Sequence, residues 1–318
     1  MRDQIAALLA AYDLGEVAEI VAVEGRHANR PHFVRAERGR FLARMLAPAC
    51  AAPAMLATRH AFLDHLARAG VRVPRLVRAR DGRGAVPADS RALELTGFIP
   101  GRPPRPGDLA DAEAVGELLG AMQVAAADFH PLFPGSRHEL TDPQPDLTRL
   151  ARLEQQVRVY LPAPEVMAGL ASLKAGVSET ASALAGADLP EGMLHGDLRP
   201  QSILFADRGP HAVGFDLCHR GPLILDLAMA LIAFAGHASP EFGKTFDAEA
   251  ARALLAGYSR RRPLTSGETR ALDAAATRVL VHRRLRADTS LETLAGLIAE
   301  WRSRRELLGR LVAGQPEK

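Results

Sequence analysis

The chain is poor in lysine, cysteine and aromatic residues and has no long uninterrupted apolar run. Its only lysines are Lys174, Lys244 and Lys318, so nearly all of the 40 basic residues are arginines. Against 37 acidic residues they leave a net charge of +3, a small surplus for gripping a phosphate backbone. Aromatics at 5% offer little for base stacking. The basic clusters Arg260-Arg261-Arg262 and Arg283-Arg284 lack RNA-binding or zinc-finger spacing and read as solvated helix faces, so nucleic acid is not an expected partner. Cys50 and Cys218 form no CxxC pair, which argues against a disulfide framework or a cysteine zinc site and points to a reducing cytoplasm. The apolar stretch from Pro222 to Gly236 is interrupted by Asp226 and is too short to cross a bilayer. The first residues read as an amphipathic helix from about Asp3, without the features of a signal peptide, and no membrane is expected as a partner.

What is present is an ordinary globular composition: 318 residues, 47% hydrophobic and 24% charged, enough for about two structural units. Residues 1–98 read as a small sheet carrying one long helix. Strands are expected at Glu19–Val23, His32–Arg35, Phe41–Leu46, Arg75–Ala79 and Ala92–Phe98, and the helix at Met55–Ala69. The Pro- and Gly-rich GRPPRPGD from Gly101 opens a mostly helical remainder, residues 99–318. Its expected helices are Leu109–Asp128, Asp146–Tyr160, Glu165–Leu184, Leu225–Ala235, Ala248–Arg260 and two more after Thr265, before a frayed AGQPEK tail. One β-rich island, Gly192–Asp216, interrupts the helices with short runs at Met193–His195, Ile203–Phe205 and His211–Phe215.

That island carries the chemistry. His195-Gly-Asp-Leu-Arg-Pro-Gln-Ser-Ile-Leu-Phe205 puts Asp197 in a tight loop between strands, with a polar residue five positions later and Val213-Gly-Phe-Asp-Leu217 beyond. A carboxylate so placed can orient a hydroxyl nucleophile and accept its proton, with a metal ligand beside it. The same string also describes a plain hairpin with an Asp turn, and spacing alone does not separate the two.

HGDLRPQS resembles the catalytic loop H-G-D-L-x-P-x-N of the aminoglycoside phosphotransferase and choline kinase superfamily, and Asp226-Leu-Ala228 resembles its downstream D-L-A. Within that superfamily the bacterial homoserine kinases are most similar, through AAYDLG, the turn at Glu24-Gly25, RGRF, HLARAGVRVP, FIPGRPPR and RALLAGYSRRRPLTSGE in the same order. The resemblance implies an α+β, bilobal protein-kinase-like fold. Residues 1–98 would be a small antiparallel-sheet, nucleotide-binding N-terminal lobe, and residues 99–318 a larger helical lobe with the catalytic loop. It implies ATP-dependent phosphorylation of a small-molecule hydroxyl, an amino acid among the candidates, with Mg²⁺. Asp197 would be the catalytic aspartate. Gly25 and Asn29, in the Glu24–Pro31 turn, would cover the ATP phosphates, and Arg44 would touch them, although a surface strand arginine is an equal reading. The backbone of Thr96-Gly97-Phe98 would pair with adenine, and Asp226 would anchor the catalytic loop.

Three departures stand beside the match. Ser202 replaces the motif asparagine that binds metal, Gly214 stands twelve residues before Asp226 where the metal-binding aspartate belongs, and Gln123 replaces a common histidine. Mg²⁺ takes oxygen ligands in near-octahedral geometry, and glycine supplies no side-chain oxygen. Asp216 is the remaining carboxylate and is expected, with Ser202, as metal ligand, although two residues along a strand shift it by about 6.6 Å unless a bulge or early turn shortens the path. The alternative function is a catalytically degenerate kinase-fold protein that binds a nucleotide, metabolite or protein partner. Gly243-Lys-Thr245 lacks the upstream glycine of a phosphate-binding loop, since Ala238 stands there, and the eleven histidines form no HExxH.

Overall fold

The computed structural model describes residues 2–23, 29, 31–131, 133, 142–160, 164–239 and 243–285. Gly25, the second helix expected after Thr265 and the AGQPEK tail lie outside the described residues.

The N-terminal region is an antiparallel sheet packed on a helix. After α1 (Arg2–Leu9) come β1 (Val17–Ala22), β2 (Pro31–Ala36) and β3 (Gly39–Leu46), then α2 (Pro48–Ala51) and α3 (Pro53–Arg68). The strands β4 (Leu76–Val77), β5 (Ala85–Ala88) and β6 (Arg91–Gly97) complete it, in the order β1-β2-β3-β6-β4 with β5 also on β6. Register sorts the side chains between the two faces, because alternate residues point to opposite sides. Ala43 pairs with Leu95 and Met45 with Leu93, and these four join Ile5, Leu9, Tyr12 and Val34 in one core. Arg44, directly opposite Glu94, necessarily faces the other way.

The C-terminal region runs α4 (Leu109–Ala127), α5 (Gln144–Tyr160), α6 (Pro164–Ala185), β7 (Glu191–Leu194), β8 (Ile203–Ala206), β9 (Gly209–Ala212), β10 (His219–Pro222) and α7 (Ile224–Phe234). It continues through β11 (Gly236–Ser239), β12 (Gly243–Phe246), α8 (Ala248–Arg261) and α9 (Ser266–Arg284). Local signals start these helices: Asp108 caps α4, Asp247 caps α8, and Thr265 with Glu268 forms a capping box on α9. Every residue of α7 from Ile224 to Ile232 is buried, so it forms the centre of the larger core, with Asp226 as its one charge. The architecture is α+β, as the resemblance implies, and no helix among the described residues is long and apolar enough to cross a membrane.

Three local expectations are corrected. β5 lies within Ala85-Val-Pro-Ala88, whose proline hides a strand that pairs along one edge only. The β-rich island is not alone: β11 and β12 pair as a hairpin, so Gly243-Lys-Thr245 starts a strand. The run expected to extend to Phe215 stops at Ala212, because Phe215–Leu217 turns into a 3₁₀ helix.

Helices α4 and α8 approach as closely as backbones can. A Cβ on Gly116 would sit 2.0 Å from the Leu254 carbonyl oxygen, and one on Gly257 would sit 1.9 Å from that of Glu113. Since overpacking a close contact costs about 1–3 kcal/mol or more, Gly257→Ala should lower the midpoint of urea unfolding clearly. An unchanged midpoint would mean that the helices do not meet at this height.

Candidate functional site

The loop His195–Ser202 leaves β7 and is fixed from beneath by α7. The buried Asp226 carboxylate accepts the backbone N–H of His195 at 2.6 Å and of Gly196 at 3.0 Å. Burial raises the pKa of Asp226, against the pull of His195 and these two N–H groups. Only glycine fits at 196: φ is +82°, and a Cβ would meet the Leu217 carbonyl oxygen at 2.1 Å. His195 Nδ1 accepts the Asp197 N–H at 3.2 Å, so its ring proton is on Nε2 and donates to the Val213 carbonyl at 2.9 Å. This leaves the Asp197 side chain 26% exposed, with Arg199 Nη2 2.5 Å from Oδ2. Gln123, on α4, donates to the Leu223 carbonyl at 2.7 Å and accepts from Tyr258 Oη at 2.6 Å, so it clamps the entry to α7.

Positions 202 and 214 face each other across the loop, a Cβ on Gly214 falling 4.0 Å from that of Ser202. Neither offers a metal ligand. Ser202 Oγ accepts the Arg199 N–H at 2.7 Å and donates towards the Asp197 and Arg199 carbonyls at 2.9 and 2.8 Å, which makes it a loop brace. Gly214 is left-handed at φ +81° and turns the chain into the 3₁₀ helix, so Asp216 is not displaced along a strand as expected. Its carboxylate is held elsewhere: Oδ2 accepts Asn29 Nδ2 at 2.7 Å and Arg44 Nη1 at 2.9 Å, and Oδ1 lies 3.6 Å from Arg59 Nη1. The donor set does not fit an octahedral divalent cation, because two of its three positions lack an available oxygen and the third is committed to cations and an amide. Among the described residues no group of three His, Cys, Asp or Glu could hold a metal.

Beneath Asp216 lies a second charge centre. Glu94, fully buried, meets Arg44 across the strand pair, Arg59 Nη2 at 2.6 Å and His60 Nε2 at 2.8 Å, the last two from α3. Burial alone would raise the Glu94 pKa, but Arg44, His60 and Arg59 outweigh it and hold the carboxyl well below its usual range. Burial likewise pulls Arg44 down, and the charges of Glu94 and Asp216 more than reverse it. Asn29 ties the arrangement to the end of β3, its Oδ1 accepting the Ala47 N–H at 2.8 Å.

The adenine expectation meets a difficulty of hydrogen-bond supply. The N–H of Gly97 donates to the Arg75 carbonyl at 2.8 Å and that of Phe98 to the Arg40 carbonyl at 3.0 Å, so both are already used within the sheet. Thr96 is buried in β6, and the Phe98 ring packs edge-on against Phe33 at 4.9 Å. The chain is then pinned again where Arg102 and Phe205 exchange two backbone hydrogen bonds, at 3.0 and 2.7 Å.

The structure therefore gathers Asn29, Arg44 and Asp216 into one contact and Asp197 with Ser202 into one loop, while Thr96 and Phe98 stand at the end of β6. Sequence reasoning missed Arg59, His60 and Glu94. One signal was available: Leu93-Glu94-Leu95 sets a carboxylate in the middle of an apolar strand, which requires buried partners.

The sequence profile of the "Phosphotransferase enzyme family" matches residues 19–264. The chain is 32% identical over 290 residues to the homoserine kinase of Gluconacetobacter diazotrophicus, covering 87% of this chain and 84% of that one. It is 30% identical over 277 residues to the homoserine kinase of Acidiphilium cryptum, covering 85% and 80%. In fold it is similar to the crystal structure of an aminoglycoside phosphotransferase from Alicyclobacillus acidocaldarius, with a TM-score of 0.71 at 17% identity over 97% of this chain and 95% of that one.

Removing one partner of a buried ion cluster strands the others, so Glu94→Gln should cost about 3–5 kcal/mol in equilibrium unfolding. The pH dependence follows in sign. With its folded pKa depressed, Glu94 contributes stability above its unfolded value near 4.5, and this is lost as pH falls towards the folded value. The wild type should thus lose stability more steeply below about pH 4.5 than Glu94→Gln. Parallel profiles would mean that Glu94 carries no such charge coupling.

Proposed function

We propose, from the premise that this chain belongs to the phosphotransferase enzyme family, that it transfers the γ-phosphoryl group of ATP to the side-chain hydroxyl of homoserine or a closely similar amino alcohol. Membership makes it a kinase of a small-molecule substrate. Family chemistry uses ATP and a divalent cation; Mg²⁺, the cation that accompanies ATP in solution, has no fitting ligand set at positions 202, 214 and 216. The relatives named homoserine kinase support the acceptor, and the ATP requirement supports a cytoplasmic site of action.

One observation carries the reading: Asp197 is held at the cleft edge by a loop whose backbone is braced by Asp226 and Ser202. A fixed carboxylate accepts the acceptor's O–H, aligns its oxygen on the γ-phosphorus and takes the proton as the new O–P bond forms and the bond to ADP breaks. Arg199 keeps that carboxylate in place. On the nucleotide side, Arg44 and Asn29 meet the phosphates, with Gly25 in the adjoining turn, and adenine lies against the end of β6 at Thr96 and Phe98. We place the lobe boundary between residues 98 and 99.

The second reading, a chain that binds nucleotide without turning it over, is favoured by the loss of ligand oxygens at 202 and 214. ADP release with ATP and homoserine decides between them. The expected outcome is turnover that Asp197→Asn lowers about 10²–10⁴-fold, and that Gly214→Asp with Ser202→Asn changes only modestly. No turnover in the wild type but clear turnover in the double variant would establish the second reading. Turnover on other amino alcohols with none on homoserine would overturn the acceptor.

A further inference from the structure

The mismatch between the metal-ligand positions and a divalent cation has a counterpart a few residues away. The Asp216 carboxylate sits in a nest of donors, the Asn29 amide and the guanidiniums of Arg44 and Arg59, drawn from three separate segments. A pocket of two guanidiniums and an amide around one carboxylate is by construction an anion site. Its present occupant fills it incompletely. Both hydrogen bonds go to Oδ2, while Oδ1 is buried without a hydrogen bond and only the more distant Arg59 faces it. A phosphate, with three oxygens in a tetrahedral spread, can meet all three donors where a planar carboxylate cannot.

Charge points the same way. Arg44 and Arg59 carry two positive charges, and Glu94 and Asp216 supply two negative ones. Glu94 is buried from all sides and cannot leave, whereas the Asp216 side chain is 22% exposed on a short 3₁₀ turn. Withdrawing Asp216 leaves one net positive charge aimed at the cleft. Arg59 comes from α3 and is oriented by Glu94, which also orients Arg44, so the two guanidiniums are held side by side with no divalent cation to align them.

Resting on the nucleotide-binding reading above, we infer that the Asn29–Arg44–Arg59 nest receives the nucleotide's phosphates with fixed guanidinium charge in place of a protein-bound divalent cation, and that Asp216 is a placeholder anion which the phosphates displace. Asp216 then competes with the nucleotide, the reverse of what a metal ligand does.

Calorimetric titration with a non-hydrolysable ATP analogue, in EDTA and in Mg²⁺, tests this on the intact chain. The wild type should bind in both, with dissociation constants within about threefold. Asp216→Asn keeps the shape but removes the competing charge, and should tighten binding in EDTA by about tenfold or more. Binding of the wild type only with Mg²⁺, or an Asp216→Asn variant that has lost a Mg²⁺-dependent part of its affinity, would overturn the inference and leave the kinase reading standing. No binding under either condition would overturn both. Inorganic tripolyphosphate titrated into the wild type in EDTA needs no variant to fold: binding weakened by added salt is expected, and its absence would overturn the nest as a phosphate site.

Discussion

A carboxylate with no access to water, surrounded by three basic side chains, fixes the cleft of this protein. Glu94 accepts from Arg44 across the sheet and from Arg59 and His60 on α3, so it joins strand to helix by charge as well as by packing. Burying such a cluster brings little net stability, because desolvation consumes most of the attraction. What it supplies is direction. Two guanidiniums that would otherwise sample many rotamers are confined to one geometry, and everything that meets them, Asp216 included, meets a preset array.

The loop that carries Asp197 follows the same economy with weaker bonds. Asp226, Ser202 and His195 hold its backbone from inside, and Arg199 pairs with the Asp197 side chain. A rigid backbone beneath a carboxylate that Arg199 pairs with is an arrangement suited to positioning. The two systems differ in what holds them: the loop by groups within a few residues and one helix, the Glu94 cluster by ion pairs between distant segments.

That difference decides how much of the site could be read from sequence. Asp197, Gly196 and Ser202 lie within one contiguous string, so the tight loop was legible as a loop, whereas the bracing role of Ser202, expected as a metal ligand, was not. Helices with clear caps, such as α4 and α8, fell within a residue of expectation. The partnership of Arg59 with Glu94 was not legible, because it depends on which face of α3 meets which face of β6. For Asp216 the sequence left two paths open, an extended strand or an early turn, and the left-handed Gly214 followed by a 3₁₀ helix is the turn, which residue spacing alone does not reveal. Pro87 concealed β5 in a similar way, by carrying the signature of a break inside a short edge pairing.

The connection between the two halves of the fold contains few free torsions. The backbone is hydrogen-bonded through Phe98 on one side and caught again at Arg102 on the other, where a Cβ on Gly101 would lie 2.9 Å from the Phe205 carbonyl oxygen. Between these points stand Ile99, Pro100 and Gly101, and the proline ring fixes its own φ and restrains the residue before it. The connection is thereby a short segment held at both ends by backbone hydrogen bonds.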